Sequence, residues 1–195
     1  MATDVIAVPS ESMLLERALD LFGRSGYEAT TMRDIAIAAG IPQLELYSAF
    51  PSKEALLWEL AQRAVDGILD GQAMALSGPD DVVESLRKFV RFHAGWHAIN
   101  GPLARVVNHN MASLTADHRR EFFALRSIYE RTFRRLLETG SSGGFFDIPN
   151  VRVTTYAILQ MGIEISVWYR PGGELTPDDL ASLHEELALR MVGYC

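Results

Sequence analysis

Residues 28–56 read EATTMRDIAIAAGIPQLELYSAFPSKEAL and contain the start and stop signals of two short helices with a tight turn between them. Thr31, with Asp34 three residues later, predicts a capping box, in which the two side chains satisfy free backbone N–H groups of the first helical turn. Residues 40–42 supply a glycine that can end this helix in the left-handed conformation and a proline that suits the start of the next. That second helix then covers about residues 43–49. The spacing predicts a helix-turn-helix, and in this motif the second helix enters the major groove of DNA.

The sequence on both sides of the motif extends the pattern. A helix MLLERALDLF at residues 13–22 precedes it and is followed by Gly-Tyr at 26–27, while Leu-Tyr at 46–47 and FPSKEAL at 50–56 close it. In this order the segments resemble the TetR family of bacterial transcriptional repressors over about residues 10–60. The resemblance implies an all-α protein, in which an N-terminal three-helix DNA-binding unit with helix-turn-helix is joined through a long helix to a helical ligand-binding and dimerisation domain.

The chain therefore divides into three expected parts. Residues 1–9 are expected to form a flexible arm, residues 10–51 the helix-turn-helix DNA-binding domain, and residues 52–195 the helical ligand-binding and dimerisation domain. In the last part apolar residues recur with helical period between glycine and proline breaks. These breaks lie at residues 77–79, 100–102, 140–144 and 171–173.

Composition limits the function further. The chain has 195 residues, 48% of them apolar, with a net charge of −7 and a single cysteine, Cys195. This charge argues against a protein that coats polyanions generally, so any DNA contact must be local. No secretory signal is visible and no disulfide can form within the chain, so we expect a cytoplasmic protein. Without a serine elbow, a paired carboxylate site or a dinucleotide loop, we expect neither an enzyme nor a cofactor.

The expected partner of the helix-turn-helix is a palindromic operator in double-stranded DNA. Gln43 can pair with an adenine edge, Leu44 can touch a thymine methyl, and Glu45 can accept a hydrogen bond from cytosine N4. Helix N-termini and polar or basic side chains nearby are expected to contact the DNA backbone. The candidates for these contacts are Thr31, Met32, Arg33, Tyr47, Ser48 and Lys53.

Two departures keep a second function open. Family members usually begin the recognition helix with Ser-Lys-Gly-Thr, whereas this chain has Pro-Gln-Leu-Glu at residues 42–45. Residues 1–60 carry four basic and nine acidic side chains, a net charge of −5, although phosphate neutralisation dominates non-specific affinity. We therefore expect weak non-specific binding and reliance on a dimer with direct base reading. The alternative is a helical ligand-binding or interaction protein of the same fold with weak or lost DNA binding.

Aromatic and methionine residues on the central helices could surround a ligand pocket that also contains a few polar groups. A stripe at helical spacing is more often plain core, so each residue is a candidate only. His93 and His97 share a helix face, but without a third ligand at recognisable spacing a metal site is not expected. The pocket candidates are Phe89, Phe92, His93, Trp96, Met111, Phe122, Arg126, Tyr129, Phe133, Met161, Glu164 and Trp168.

The C-terminal half is similar to a narrower group within the family. The segments that carry this likeness are Leu-Arg at residues 125–126 with Tyr-Glu at 129–130, Gly-Phe-Phe at 144–146, and WYRPGG at 168–173 with Leu-Thr-Pro at 175–177. They resemble the actinobacterial repressors of fatty-acid and steroid-ring degradation that respond to an acyl-CoA. The resemblance implies a hydrophobic small-molecule effector, with an acyl-CoA as one candidate.

A helix expected at about residues 150–169 is apolar on nearly every side, so both of its faces should be buried. Arg152, Gln160 and Glu164 argue against insertion into a membrane. We expect one face to pack on the subunit core and the other on a second subunit, as in the four-helix bundle of TetR-type dimers. The expected interface residues are Tyr156, Ile158, Ile165, Leu180, Leu183, Leu187 and Met191.

Overall fold

The structure, a computed structural model, describes residues 10–79 and 81–194. The predicted arm of residues 1–9 and Cys195 lie outside this range. The described part is all-α, as expected, and contains nine α-helices and one short 3-10 turn at Met111–Ser113. The helices are α1 (Glu11–Ser25), α2 (Met32–Ala39), α3 (Gln43–Ala49), α4 (Lys53–Ala75), α5 (Val82–Ile99), α6 (Gly101–Asn110), α7 (Ala116–Ser142), α8 (Val151–Trp168) and α9 (Pro177–Met191).

The predicted capping box and turn of the helix-turn-helix are both present. The Thr31 hydroxyl accepts from the N–H of Asp34 at 3.2 Å, and the Asp34 carboxylate accepts from the N–H of Thr31 at 2.9 Å. Gly40 adopts the left-handed conformation, with φ 69° and ψ 30°, and ends α2. The next N–H, that of Ile41, donates to the Ala36 carbonyl at 3.1 Å, which completes a Schellman motif. Local sequence signals thus determine the angle between α2 and α3.

The DNA-binding unit and the second domain share one helix. The first half of α4 packs into the core of the N-terminal unit through Leu56, Leu57 and Leu60, which are buried against α1 and α2. Its second half continues into the C-terminal domain, where Ile68 and Leu69 lie against a second core. Ser52 caps this helix by accepting from the N–H of Ala55 at 3.0 Å. Any tilt of α4 therefore moves the DNA-binding unit relative to the other helices.

Helix α8 has one buried side and one exposed side, even though its sequence is almost uniformly apolar. Ile158 and Ile165 are buried within the single chain, as is Leu180 of α9, so their assignment to the subunit interface is wrong. They pack on the core because their side of each helix faces α5, whereas an all-apolar pattern does not reveal which face turns inward. The outward side of α8 instead carries Val153 and Trp168. None of the described helices has the length and hydrophobicity needed to cross a bilayer.

Helix α7 passes through Gly140, where the sequence predicted its end, and continues to Ser142. The reason is the fit of Phe146, whose ring occupies the space that a side chain at residue 140 would need. A Cβ atom there would lie 2.0 Å from the ring. Gly140 therefore permits a close approach and does not act as a helix stop.

Replacing Gly140 with alanine is expected to destabilise the protein by about 1–3 kcal/mol, because the new methyl overpacks against the buried Phe146 ring. Gly95 of α5 is the matched control, since a Cβ atom there has no neighbour within 4 Å. Gly95→Ala should stabilise by roughly 0.5–1 kcal/mol through helix propensity alone. Urea unfolding followed by circular dichroism measures both, and equal effects of the two substitutions would contradict the packing argument.

Candidate functional site

The recognition helix α3 presents its predicted base-reading side chains to solvent. Gln43 is exposed, and Leu44 is 79% exposed although it is a large apolar residue. Tyr47 and Ser48 lie on the same open surface, while Glu45 is half-buried. Leu46 is fully buried and anchors the helix on the core of the unit. The fold thus holds α3 from one side and leaves the other free to contact a partner.

Two predicted DNA contacts have structural roles in this unit. Met32 is only 7% exposed and belongs to the core, so its assignment to DNA binding is wrong. It packs inward because the first turn of α2 faces α1. The Lys53 ammonium donates to the carbonyls of Tyr27 and Glu28 at 2.7 and 3.3 Å and lies 4.3 Å from the centre of the Tyr27 ring. Lys53 therefore fastens the start of α4 and keeps one donor for other contacts.

Three carboxylates of the acidic N-terminal unit are used inside the molecule. The Asp34 carboxylate caps α2, and the hydrogen bonds from Thr31 lower its pKa. The Glu28 carboxylate accepts from the Ser113 hydroxyl at 3.1 Å. The Glu54 carboxylate accepts from the N–H of Thr115 at 2.9 Å. Two of the nine acidic side chains counted in the sequence, Glu28 and Glu54, therefore help to hold the two domains together.

A cavity of about 410 Å³ lies between the central helices α4 to α8. Its walls are mostly apolar, and its polar groups come from α5, α6, α7 and α8. Five of the predicted pocket residues line it. These are His93, Trp96, Phe122, Arg126 and Tyr129.

The remaining pocket candidates lie elsewhere. Met111 and Glu164 line a smaller cavity of about 220 Å³. Phe89 and Phe133 stack at 4.0 Å in the subunit core and are fully buried, so their assignment to the pocket is wrong. Helical period places them on the inward face but cannot separate cavity wall from core. Neither cavity includes Phe92, Met161 or Trp168: Phe92 packs against Gly71, and the other two lie on α8 away from the cavities.

His93 is held in one orientation by two hydrogen bonds. Its Nε2 lies 2.9 Å from the Leu159 carbonyl, which can only accept, so Nε2 carries the proton. Its Nδ1 then accepts from the Tyr129 hydroxyl at 2.8 Å. Burial lowers the pKa of His93 to about 4, so the ring is neutral at physiological pH. The described residues contain no group of three or more potential metal ligands.

His97, one helical turn further along α5, differs from His93 in its bonding. It also lines the larger cavity, but neither of its buried ring nitrogens has a hydrogen-bond partner in the described structure. Burial lowers its pKa well below the ordinary histidine value, so this ring is neutral as well. No role for His97 beyond the histidine pair could be predicted from the sequence, because only the three-dimensional arrangement shows that its ring nitrogens lack partners.

Arg126 of α7 lies where the two cavities meet and lines both. Its guanidinium donates to the side-chain oxygen of Asn108 at 3.2 Å and contacts the Met111 sulfur at 3.8 Å. Burial lowers its pKa. Among the described residues it makes no ion pair with a carboxylate. It is therefore a shielded cation beside an apolar space.

Sequence reasoning missed several polar residues of this site. Asn108, Gln160 and Tyr156 line the larger cavity, although Tyr156 was expected at the subunit interface. The Tyr156 hydroxyl donates to the Glu130 carboxylate at 3.2 Å, across the cavity wall between α8 and α7. The spacing of Tyr156 and Gln160, four residues apart on an apolar helix, is the signal that would have found them.

The first turn of α7 is attached to the DNA-binding side of α4. One Glu54 oxygen accepts from the Thr115 N–H and lies 2.8 Å from Nδ1 of His118. The His118 ring stacks on Trp58 with ring centres 4.4 Å apart and planes 2° from parallel. About two turns after His118, the same helix carries Arg126 into the cavity. A continuous helix thus joins the cavity to the DNA-binding unit.

Comparison with known proteins agrees with this arrangement. Residues 14–60 match the family described as "Bacterial regulatory proteins, tetR family", and residues 79–192 match "Tetracyclin repressor-like, C-terminal domain". The HTH-type transcriptional repressor KstR2 of Mycobacterium tuberculosis (strain ATCC 25618 / H37Rv) is 31% identical over 181 residues, which cover 90% of this chain and 89% of that protein.

Solved structures show the same fold. A bacterial regulatory protein in the tetR family from Rhodococcus RHA1 superposes with a TM-score of 0.90 and 28% identity, covering 96% of this chain and all of that one. AibR in complex with isovaleryl coenzyme A and operator DNA superposes with a TM-score of 0.82 and 24% identity, covering 94% and 98% of the two chains. With its C-terminal match alone spanning more than half of the sequence, this chain belongs to the TetR family of bacterial transcriptional regulators.

Proposed function

We propose that this protein is a repressor that binds a palindromic operator as a homodimer and leaves DNA when a hydrophobic, anionic effector binds its central cavity. The observation that carries the proposal is Arg126, a shielded guanidinium between an apolar cavity and a smaller, more polar one. A buried cation is unfavourable unless a counter-charge or hydrogen bonds stabilise it. A ligand with an apolar body and an anionic part fills the cavity and supplies the counter-charge that the described residues do not give Arg126.

An acyl-CoA has this combination of properties. Its acyl chain suits the apolar cavity, and its phosphates suit the cationic side chains of Arg105 and Arg126, which border the smaller cavity. A cavity of about 410 Å³ is within the range of small-molecule sites, which is roughly 300–1,000 Å³. AibR, a protein of the same fold, has been solved with an acyl-CoA and operator DNA together, which supports this ligand class for the fold.

The proposed route from effector to DNA runs along α7. Phe122, Arg126 and Tyr129 form the cavity side of this helix, and its first turn is attached to Glu54 and Trp58 of α4. A ligand that displaces α7 therefore moves the helix on which the DNA-binding unit is mounted. In a dimer the two recognition helices must match half-sites about 34–36 Å apart, so a modest tilt weakens operator binding.

The proposed subunit interface is the exposed apolar side of α8 and α9. Val153, Met161 and Trp168 follow one side of α8, since successive members are eight and seven residues apart, which is about two helical turns. Leu183, Leu187 and Met191 form a matching strip on α9, and all three are exposed in the single chain. A second copy of the chain is the partner that symmetry and the spacing of a palindrome require.

We propose that base reading depends on Gln43 and Leu44 and that few phosphate contacts support it. The alternative, a protein of this fold that has lost DNA binding, gains support from the engagement of Lys53 with backbone carbonyls.

Since the repressor acts on chromosomal DNA, its proposed location is the cytoplasm. Regulation by binding needs no chemical step, so we assign the protein no catalytic activity.

Gln43→Ala is expected to weaken operator binding by about 1–3 kcal/mol per half-site, because a bidentate contact to adenine is lost. Affinity for random DNA should stay unchanged. Fluorescence anisotropy with DNA from upstream of the protein's own gene measures both, with Met74→Ala on the far part of α4 as control. Equal loss on both DNAs would refute base reading by Gln43, and no binding by the wild type would support the alternative function.

Leu187→Asp is expected to yield a folded monomer, because the new charge lies on the proposed interface but remains hydrated in the single chain. Ile165→Asp should unfold the protein instead, since this position is fully buried and the charge would lose its solvation. Met74→Asp, at an exposed apolar position of α4, is the matched control and should remain dimeric. Sedimentation velocity and circular dichroism distinguish the cases, and a dimeric Leu187→Asp would rule out this interface.

Arg126→Gln is expected to weaken effector binding roughly tenfold to a hundredfold, because a charge-assisted hydrogen bond is lost while an amide can still donate to Asn108. Operator affinity without effector should be unchanged. Isothermal titration with isovaleryl-CoA and octanoyl-CoA measures binding, and operator release measures induction. Free coenzyme A serves as the control for the acyl chain. Unchanged thioester binding by the variant would remove Arg126 from the site.

His118→Ala tests the route separately from the site. This substitution removes the stack on Trp58 and the contact with Glu54, and none of these three residues lines the cavity, so thioester binding should persist while operator release weakens. Loss of binding and release together would mean that the first turn of α7 supports the cavity and does not act as the connection.

A further inference from the structure

The two histidines on the cavity side of α5 are not equivalent. His93 has both ring nitrogens occupied, one by the Tyr129 hydroxyl and one by the Leu159 carbonyl. His97 is as deeply buried, with 3% of its surface exposed, yet neither nitrogen has a partner in the described structure. A neutral imidazole offers one donor and one acceptor. Folding therefore removes two hydrogen-bonding groups of His97 from water without replacing their bonds.

Buried polar groups in proteins are nearly always hydrogen-bonded, and an exception needs an explanation. His97 cannot be explained as part of the His93 network, because it meets His93 only through an edge-on ring contact with centres 4.7 Å apart. Its other ring neighbour, Trp96, also meets it edge-on, with centres 4.9 Å apart. No hydrogen bond fixes the imidazole, and the ring lines the cavity.

We infer that His97 is a specificity-determining residue that recognises a hydroxyl or keto oxygen on the apolar part of the effector. The inference rests on the proposed function and deepens it, because it adds a second polar point to the site of Arg126. The two residues come from different helices, α5 and α7, and line the same cavity. An effector recognised at both points is an oxygenated hydrophobic acid derivative. A plain hydrocarbon chain would leave His97 without a partner.

The neutral state of His97 determines which ligand groups fit. Burial keeps the ring uncharged, so it can donate to a keto oxygen through its N–H or bond a hydroxyl through either nitrogen. A carboxylate would be a poor occupant at this point, since it lacks a proton to donate to the free nitrogen. The anionic part of the effector therefore belongs at Arg126, and the neutral oxygen belongs at His97.

The test compares octanoyl-CoA with its β-hydroxy, β-keto and ω-hydroxy derivatives by isothermal titration. Wild-type protein is expected to bind at least one oxygenated thioester about tenfold or more tightly than the parent, because a site built around a hydrogen bond rejects an analogue that lacks it. His97→Leu, which has similar size and no polar atom, should lose this preference while it still binds the parent. His97→Gln should restore part of the preference.

Thermal unfolding separates recognition from a structural role. His97→Leu should unfold at the same temperature as the wild type or above it, because it removes two unsatisfied polar groups. His93→Leu, one turn away, is the matched control and should unfold at a lower temperature, because it leaves the Tyr129 hydroxyl and the Leu159 carbonyl without partners. A His97→Leu variant that unfolds as early as His93→Leu would show that His97 supports the fold and would overturn the inference.

Three ligand outcomes distinguish the inference from the proposed function. A preference that His97→Leu abolishes supports both. Binding of every thioester with equal affinity, or a preference retained by His97→Leu, overturns the role of His97 and leaves the effector site intact. Failure of all the thioesters to bind wild-type protein overturns the proposed effector class and the inference with it.

Discussion

The structure depends on the continuity of one helix, α4, which belongs to two hydrophobic cores at once. Leu56, Leu57 and Leu60 are buried with the helix-turn-helix, and Ile68 and Leu69 pack into the other domain. A helix of 23 residues is about 34 Å long, so a small angular change at one end becomes a displacement at the other. The contacts of Glu54 with the first turn of α7 add a second connection at the DNA-binding end.

The cavity combines two kinds of polar environment. Tyr129, His93 and the Leu159 carbonyl form a satisfied chain that holds α5, α7 and α8 in place, and rigid walls of this kind preserve the shape of a site. His97 lacks such partners among the described residues, and Arg126 has Asn108 but no carboxylate partner, so the incomplete compensation of these groups lowers the stability of the subunit without ligand. Function accounts for this arrangement, because a ligand that meets these groups recovers the lost interactions and thereby favours the conformation that holds it.

The sequence predicted the parts of the fold that local chemistry controls. The Thr31–Asp34 box and the left-handed Gly40 depend on neighbours within a few residues, and both are present. The sequence did not show which apolar face of a helix packs on the subunit core, because helical period identifies an apolar side but not what covers it. Ile165 was therefore wrongly assigned to the subunit interface. Phe133 was wrongly assigned to the cavity wall, although it lies in the core. Whether the His97 nitrogens find hydrogen-bond partners depends on side chains from several helices. No linear pattern could therefore reveal that they have none in the described structure.

The acidic character of the DNA-binding unit has a consequence for how the operator is found. A genome presents about 10⁶–10⁹ competing sites, which act as a reservoir for any protein with appreciable affinity for random phosphate backbone. A regulator with few basic side chains in this unit is bound to random DNA for little of the time and slides along it only briefly. We expect its search to proceed mainly through three-dimensional collisions and the unbound fraction in the cell to stay high. Occupancy of a single operator can then follow the effector concentration, because few protein molecules are bound non-specifically elsewhere on the chromosome.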